Sequence, residues 1–233
     1  MNQPQKMGPS EALVETLVAN GVTHVFGIVG SAFMDALDLF PAAGIRFVAV
    51  AHEQGAIHMA DGYARASGRH GVCIAQNGPG VTNFVTGVAA AFWAHSPVVF
   101  ITPETGSMSM GLGGFQETEQ LPIFSKITKY QGHVNNPKRM AEIAARCFDR
   151  AMLDLGPTQL NIPRDYFYGE IDVTIAAAFA GYQDHALLLR PDHYVAAAIP
   201  LAAPGAAMAK IEALFAATWP RGTVSDALET AAA

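Results

Sequence analysis

The chain has 233 residues, 51% of them hydrophobic and 15% charged, with 22 glycines and 14 prolines. That balance excludes a disordered tail protein, a collagen-like repeat and a disulfide scaffold. With 14 Lys/Arg against 20 Asp/Glu the net charge is −6, so neither nucleic acid nor an anionic membrane meets a basic field.

Two cysteines, Cys73 and Cys147, stand outside any metal-ligand spacing and point to a reducing, cytoplasmic setting. Residues 1–8 are polar, lack the apolar run of a signal peptide, and are expected to form a flexible lead-in. No run reaches the roughly 18–20 apolar residues of a membrane span.

Ser10 is expected to cap a helix carrying Leu13, Leu17 and Val18, which Gly21 ends in a left-handed conformation. Residues 24–28 read as a strand. Ser31 opens a helix with Phe33, Leu37 and Phe40 at helical spacing, stopped by Pro41. Residues 46–50 form the next strand and 53–66 a helix of small residues. Val72-Cys73-Ile74-Ala75 is apolar without alternation, as in a strand covered on both faces. A helix over 81–93, a strand over 98–102, a helix with Pro137 in its first turn and a strand over 159–162 complete the series. Strands alternating with helices, with few hairpin signals, predict an α/β domain with a mostly parallel sheet over 9–172. From 173 the rhythm stops: 20 of the 58 residues in 176–233 are alanine. This tail is expected to be irregular or helical, a linker with one docking helix over 206–218.

Three loops follow predicted strands at their carboxyl ends, where open α/β sheets place ligands. In the first, Gly30 admits a ligand close to the backbone and Ser31 caps the next helix. The second, Asn77-Gly78-Pro79-Gly80-Val81-Thr82-Asn83, is stiff and poor in side chains. Neither Gly-x-Gly-x-x-Gly nor a phosphate-binding Gly-Lys-Ser/Thr loop occurs in the chain. The third is His52-Glu53-Gln54-Gly55-Ala56. At this helix start the helix dipole favours the Glu53 anion, while burial favours the neutral acid. A bland alternative stays open: Glu53 as an ordinary first-turn acid worth about 0.3–1 kcal/mol. His52 and His58 have the wrong spacing to share a metal ion, and no metal site is expected. Cys73, inside an apolar strand, is expected to be inert.

Taken together these segments resemble the pyrimidine-binding domain of thiamine-diphosphate enzymes related to acetolactate synthase. The likeness is carried by Val25-Phe26-Gly27-Ile28-Val29-Gly30, by 52–56 running into 60–68, by 78–83, and by Phe115-Gln116-Glu117, all in order. Gly30-Ser31-Ala32-Phe33-Met34, Ala75-Gln76-Asn77 and Gly113-Gly114-Phe115 are most similar to the sulfoacetaldehyde acetyltransferase branch. The resemblance covers about residues 8–172.

It implies a three-layer parallel-sheet domain holding the pyrimidine end of thiamine diphosphate. Glu53 would be catalytic: its carboxyl bonds the N1′ nitrogen of the aminopyrimidine, so that the 4′-amino group can take the proton from the reactive carbon. Val29, Gly30, Pro79 and Asn83 would line the pyrimidine, and Gln116 would reach cofactor or substrate from the opposite chain. The implied reaction joins sulfoacetaldehyde and phosphate to give acetyl phosphate and sulfite. Mg²⁺ would come from a partner domain, since the Gly-Asp-Gly motif that binds the metal and diphosphate in this family is absent here. The chain is therefore expected to be inactive alone: part of a split or truncated enzyme, forming homodimers or larger oligomers. The alternatives are the pyrimidine-binding subunit of a split 2-oxoacid decarboxylase or acetolactate synthase-like enzyme, or a non-catalytic dimerising relic. No cation is assigned to a sulfonate; Arg65, Lys126 and Arg164 read equally as structural, as does His95.

Overall fold

The computed structural model describes residues 5–169, 171–173, 185–189 and 195–200. The elements in chain order are β1 (Gln5–Met7), α1 (Pro9–Ala19), β2 (His24–Gly27), α2 (Met34–Leu39), β3 (Arg46–Ala49), α3 (Glu53–Ser67), β4 (Gly71–Ile74), α4 (Pro79–Thr82), α5 (Val85–Trp93), β5 (Val98–Glu104), α6 (Gln120–Phe124), β6 (Tyr130–His133), α7 (Met140–Leu153), β7 (Thr158–Pro163), β8 (Ile171–Val173), β9 (His185–Leu189) and β10 (Val195–Pro200). Six strands form one sheet in the order β3-β2-β4-β5-β7-β6, every pair parallel. This is the three-layer α/β arrangement expected from the alternating strands and helices.

Alternate residues of the central strands feed two separate cores. Val72 and Ile74 of β4 pack with Leu13, Leu17 and Phe148 of α1 and α7. Cys73, with Ala75 just past the strand, packs on the other face with Ile57, Ala60, Val88 and Phe124 from α3, α5 and α6. A strand covered on both sides has no use for polar alternation, which is why its sequence reads as one apolar run. Beyond the two cores, β5, β6 and β7 carry a polar grid. Gln131 donates to Gln159 Oε1 at 2.6 Å, Gln159 to Thr102 Oγ1 at 3.0 Å, and Thr102 to Asn161 Oδ1 at 2.8 Å. Glu104 closes the grid by accepting from Asn161 at 2.5 Å and lying 2.6 Å from His133 Nε2.

Several local expectations are corrected. Pro9, with its preset φ, takes the first position of α1, so Gly8 is the cap and Glu11 reaches back to its N–H at 2.5 Å. Ser10 instead donates to the Phe167 carbonyl at 2.8 Å. Helix α2 starts three residues after Ser31, with Phe33 at its cap. The stretch 81–93 is two helices, since the chain tightens at Asn83 and Phe84, where Phe84 N–H bonds Val81 O at 3.0 Å. Strand β6 was not foreseen. Residues 5–7, expected in the flexible lead-in, pair antiparallel with 171–173.

The chain divides into two units, Met1–Val173 and Thr174–Ala233. In the second, β9 and β10 form an antiparallel ladder where no strand was expected. Two apolar runs, 186–189 and 195–199, flank a Pro191-Asp192 turn signal in the sequence. The expected helix over 206–218 lies outside the described residues.

Candidate functional site

The carboxyl ends of β2, β3 and β4 bring the three loops to one edge of the sheet. Glu53 is the first residue of α3, behind the cap His52, whose Nδ1 accepts from Gln54 N–H at 3.2 Å. Its side chain is half-buried and its Oε2 accepts from Asn83 Nδ2 at 2.9 Å. Among the described residues Oε1 has no hydrogen-bond partner. It points at Gly80: a Cβ there would lie 3.1 Å from Oε1 and 3.4 Å from Gln76 Cβ. A carboxyl with one oxygen fixed by an amide and the other left open beside a bare glycine can share a proton with a flat nitrogen heterocycle. The residues present therefore fit the aminopyrimidine half of thiamine diphosphate.

The second half of the site is a cluster around Gln76. Its Oε1 accepts from Ala32 N–H at 3.1 Å, and its Nε2 donates to Asn77 Oδ1 at 2.6 Å and Gln116 Oε1 at 3.3 Å. Asn77 Nδ2 donates to the Phe115 carbonyl at 2.9 Å. Gly30 is buried against Gln76 and Phe33, so any Cβ there would collide with them. Gly78, at φ 67°, lies under the Gln116 carbonyl, where a side chain has neither the conformation nor the room. Gln116 itself takes φ 55°. Glu117 organises the loop before it: its carboxylate accepts from the N–H groups of Gly111, Gly113 and Gly114, the last two at 2.9 Å. The Gly111 and Gly114 bonds lead the effects that hold its carboxyl below the ordinary range.

Glu53, Asn83 and Gly80 thus meet directly, and Gly30, Gln76 and Gln116 form the adjoining wall; Gln116, expected to act from the opposite chain, here bonds Gln76 of its own chain. Val29 is exposed beside Gly30, and Pro79 is exposed at the first position of α4. Arg65 is bound to Asp61 one turn away on α3. Burial works to raise Asp61, but the bond from Arg65 and its charge outweigh it and hold the carboxyl low. His95 precedes β5, at the opposite edge of the sheet. Cys73 is fully buried, which pushes its thiol well up. Sequence reasoning put Asn77 in the second loop and Gln76 and Glu117 in the motifs, but assigned none of the three a role in the site. The available signal was polar Gln76-Asn77 emerging straight from an apolar strand, at the sheet edge that binds ligands.

Residues 7–123 match the family described as thiamine pyrophosphate enzyme, N-terminal TPP binding domain. The sulfoacetaldehyde acetyltransferase of Alcaligenes xylosoxydans xylosoxydans is 74% identical over 170 residues, 73% of this chain and 28% of that protein. That of Castellaniella defragrans is 67% identical over 171 residues, 73% of this chain and 29% of the relative. The probable acetolactate synthase large subunit of Methanocaldococcus jannaschii is 38% identical over 168 residues, 72% of this chain and 28% of the relative. The match therefore spans less than a third of each of these relatives. On this match and on the parallel-sheet fold, the chain belongs to the N-terminal TPP-binding domain family of thiamine pyrophosphate enzymes.

Proposed function

We propose that this chain provides the pyrimidine end of a thiamine diphosphate site in an enzyme of the sulfoacetaldehyde acetyltransferase kind. A partner domain provides Mg²⁺ and the diphosphate contacts, and the whole works as a cytoplasmic dimer or larger oligomer. The observation that carries this reading is the Glu53–Asn83 pair, with the second Glu53 oxygen open beside Gly80. The 74% identity to a named acetyltransferase supports the choice of branch.

Thiamine diphosphate, when bound, supplies a nucleophilic carbon able to carry a two-carbon acyl unit from sulfoacetaldehyde to phosphate. Glu53 would bond N1′ of the aminopyrimidine and share a proton with that nitrogen. Asn83 keeps the carboxyl turned towards that nitrogen. Gly80, with no side chain, would leave room beside Glu53 Oε1 for the ring. Gly30 and Gln116, joined through Gln76, would form a wall beside the bound cofactor and limit the access of water to it.

The test is sulfite release from sulfoacetaldehyde in the presence of phosphate, thiamine diphosphate and Mg²⁺. The chain alone is expected to release none. Mixed with the remaining domains of an acetyltransferase relative, it is expected to release sulfite and to form acetyl phosphate, and Glu53→Gln should abolish both. Acetolactate formed from pyruvate by the same mixture, without sulfite release, would transfer the chain to the acetolactate synthase reading.

A further inference from the structure

A cleft of about 350 Å³ opens at the same sheet edge, between the loop after β5 and the turn after β7. That volume is at the small end of the range for ligand sites. Its lining includes Asn77 and Phe115, so it adjoins the wall formed by Gln76 and Gln116. Its lining also holds the Thr105 and Ser109 hydroxyls, 3.1 Å apart, together with Arg164 and Tyr168. We propose that Arg164 and this cleft seat a tetrahedral oxyanion, the sulfonate or phosphate group of a small substrate.

The charge arrangement carries the assignment. Arg65, Arg139, Arg146 and Arg150 are each taken up by a neighbouring carboxylate, and Lys129 lies 4.6 Å over the Phe92 ring. Arg164 is the cation in the cleft, and among the described residues no carboxylate pairs with it. Its Nε donates to the Tyr168 hydroxyl at 3.3 Å, and among the described residues neither terminal nitrogen has a hydrogen-bond partner. The opposing charge in the lining, Asp165, is already engaged: Oδ1 accepts from Ser107 N–H at 2.7 Å and Oδ2 from the Ser107 hydroxyl at 2.5 Å. A guanidinium with free N–H groups matches two oxygens of one oxyanion, and the Tyr168 hydroxyl, which accepts from Arg164 Nε, keeps its own proton to donate to the third. The inference rests on the proposed function, since both reactants of that reaction carry such a group and this cleft borders the pyrimidine cradle.

The test titrates the full chain with 2-hydroxyethanesulfonate and, separately, with inorganic phosphate, at ionic strength held constant with chloride. The Arg164 Nε–H and Asn77 side-chain amide signals are followed by ¹⁵N NMR. Saturable shifts are expected for at least one anion, weakened at least about tenfold by Arg164→Gln and partly retained by Arg164→Lys. Preference for the sulfonate assigns the cleft to the acyl donor, and preference for phosphate assigns it to the acceptor. Equal binding by wild type and Arg164→Gln, or no saturable shift with either anion, overturns the proposal. Titration with 4-amino-5-hydroxymethyl-2-methylpyrimidine runs alongside. If that ring binds through Glu53 while the anions do not, only the oxyanion cleft falls; if the ring fails, the proposed function fails first.

Discussion

Asn83 donates to Glu53 across 2.9 Å, although the two stand 30 positions apart, one closing α4 and the other opening α3. The bond ties the two loops into one cradle and decides which carboxyl oxygen stays free. Replacing Asn83 by Asp would set two carboxylates at that distance, where their charges repel. Asn83→Asp is expected to unfold at a lower urea concentration than wild type at neutral pH, read from the unfolding midpoint. In an assembled enzyme, Asn83→Ala should lower turnover about tenfold.

Gly80 and Gly78 are expected to fail in different ways. A methyl at Gly80 intrudes on Glu53 Oε1 at 3.1 Å, so Gly80→Ala should bind the aminopyrimidine about tenfold more weakly while its urea midpoint barely moves. At Gly78 the left-handed φ and the Gln116 carbonyl both exclude a side chain. Gly78→Ala should therefore lose about 1–3 kcal/mol of stability in urea unfolding.

Glu117 holds the glycine loop through its ionised form. Its carboxyl is lowered from an ordinary 4.5, first by the Gly111 and Gly114 N–H bonds. Its contribution is thus complete above the ordinary value and is lost as pH falls through the lowered one. Amide exchange at Gly113 and Gly114, corrected for the intrinsic pH dependence, should lose protection over that acidic window. Glu117→Gln should show the loss already at neutral pH.

His133 titrates in the opposite sense. Its bond to Glu104 raises it above the ordinary 6.5, against the effect of burial. The stabilisation is fully present below 6.5 and disappears as pH rises through the raised value. Thermal melts of wild type and His133→Gln should therefore differ at about pH 6 and converge at high pH.

Neither cysteine should react in the folded protein. Burial pushes Cys147 up to about 12 and Cys73 well above its ordinary value, so almost no thiolate is present at neutral pH. Labelling by an aromatic disulfide should proceed only at the rate of global opening. Rapid labelling in native buffer would contradict the packing on both faces of the sheet.

How much of this was legible in the sequence depends on what each residue faces. Val72 to Ala75 announces a doubly covered strand because both of its faces meet apolar helices. Tyr130–His133 does not: Gln131 and His133 look like loop residues until Gln159 and Glu104 appear across the sheet as their partners. Pairings over 28 and 29 positions leave no local pattern to detect. The same holds in the site. Glu53 is conspicuous as an acid following an apolar strand, and the family resemblance supplied Asn83 and Gln116. The roles of Gln76 and Asn77 depend on Gly30 and Phe115 arriving from elsewhere in the chain, so only the folded arrangement reveals them.

The most direct measurement is calorimetric titration of the full chain with 4-amino-5-hydroxymethyl-2-methylpyrimidine, a ring that needs no diphosphate or metal contacts. Saturable binding by wild type is expected, weakened about tenfold or more in Glu53→Gln. Equal affinity in the two proteins would contradict the proposed function, because the free oxygen of Glu53 would then have no part in holding the ring.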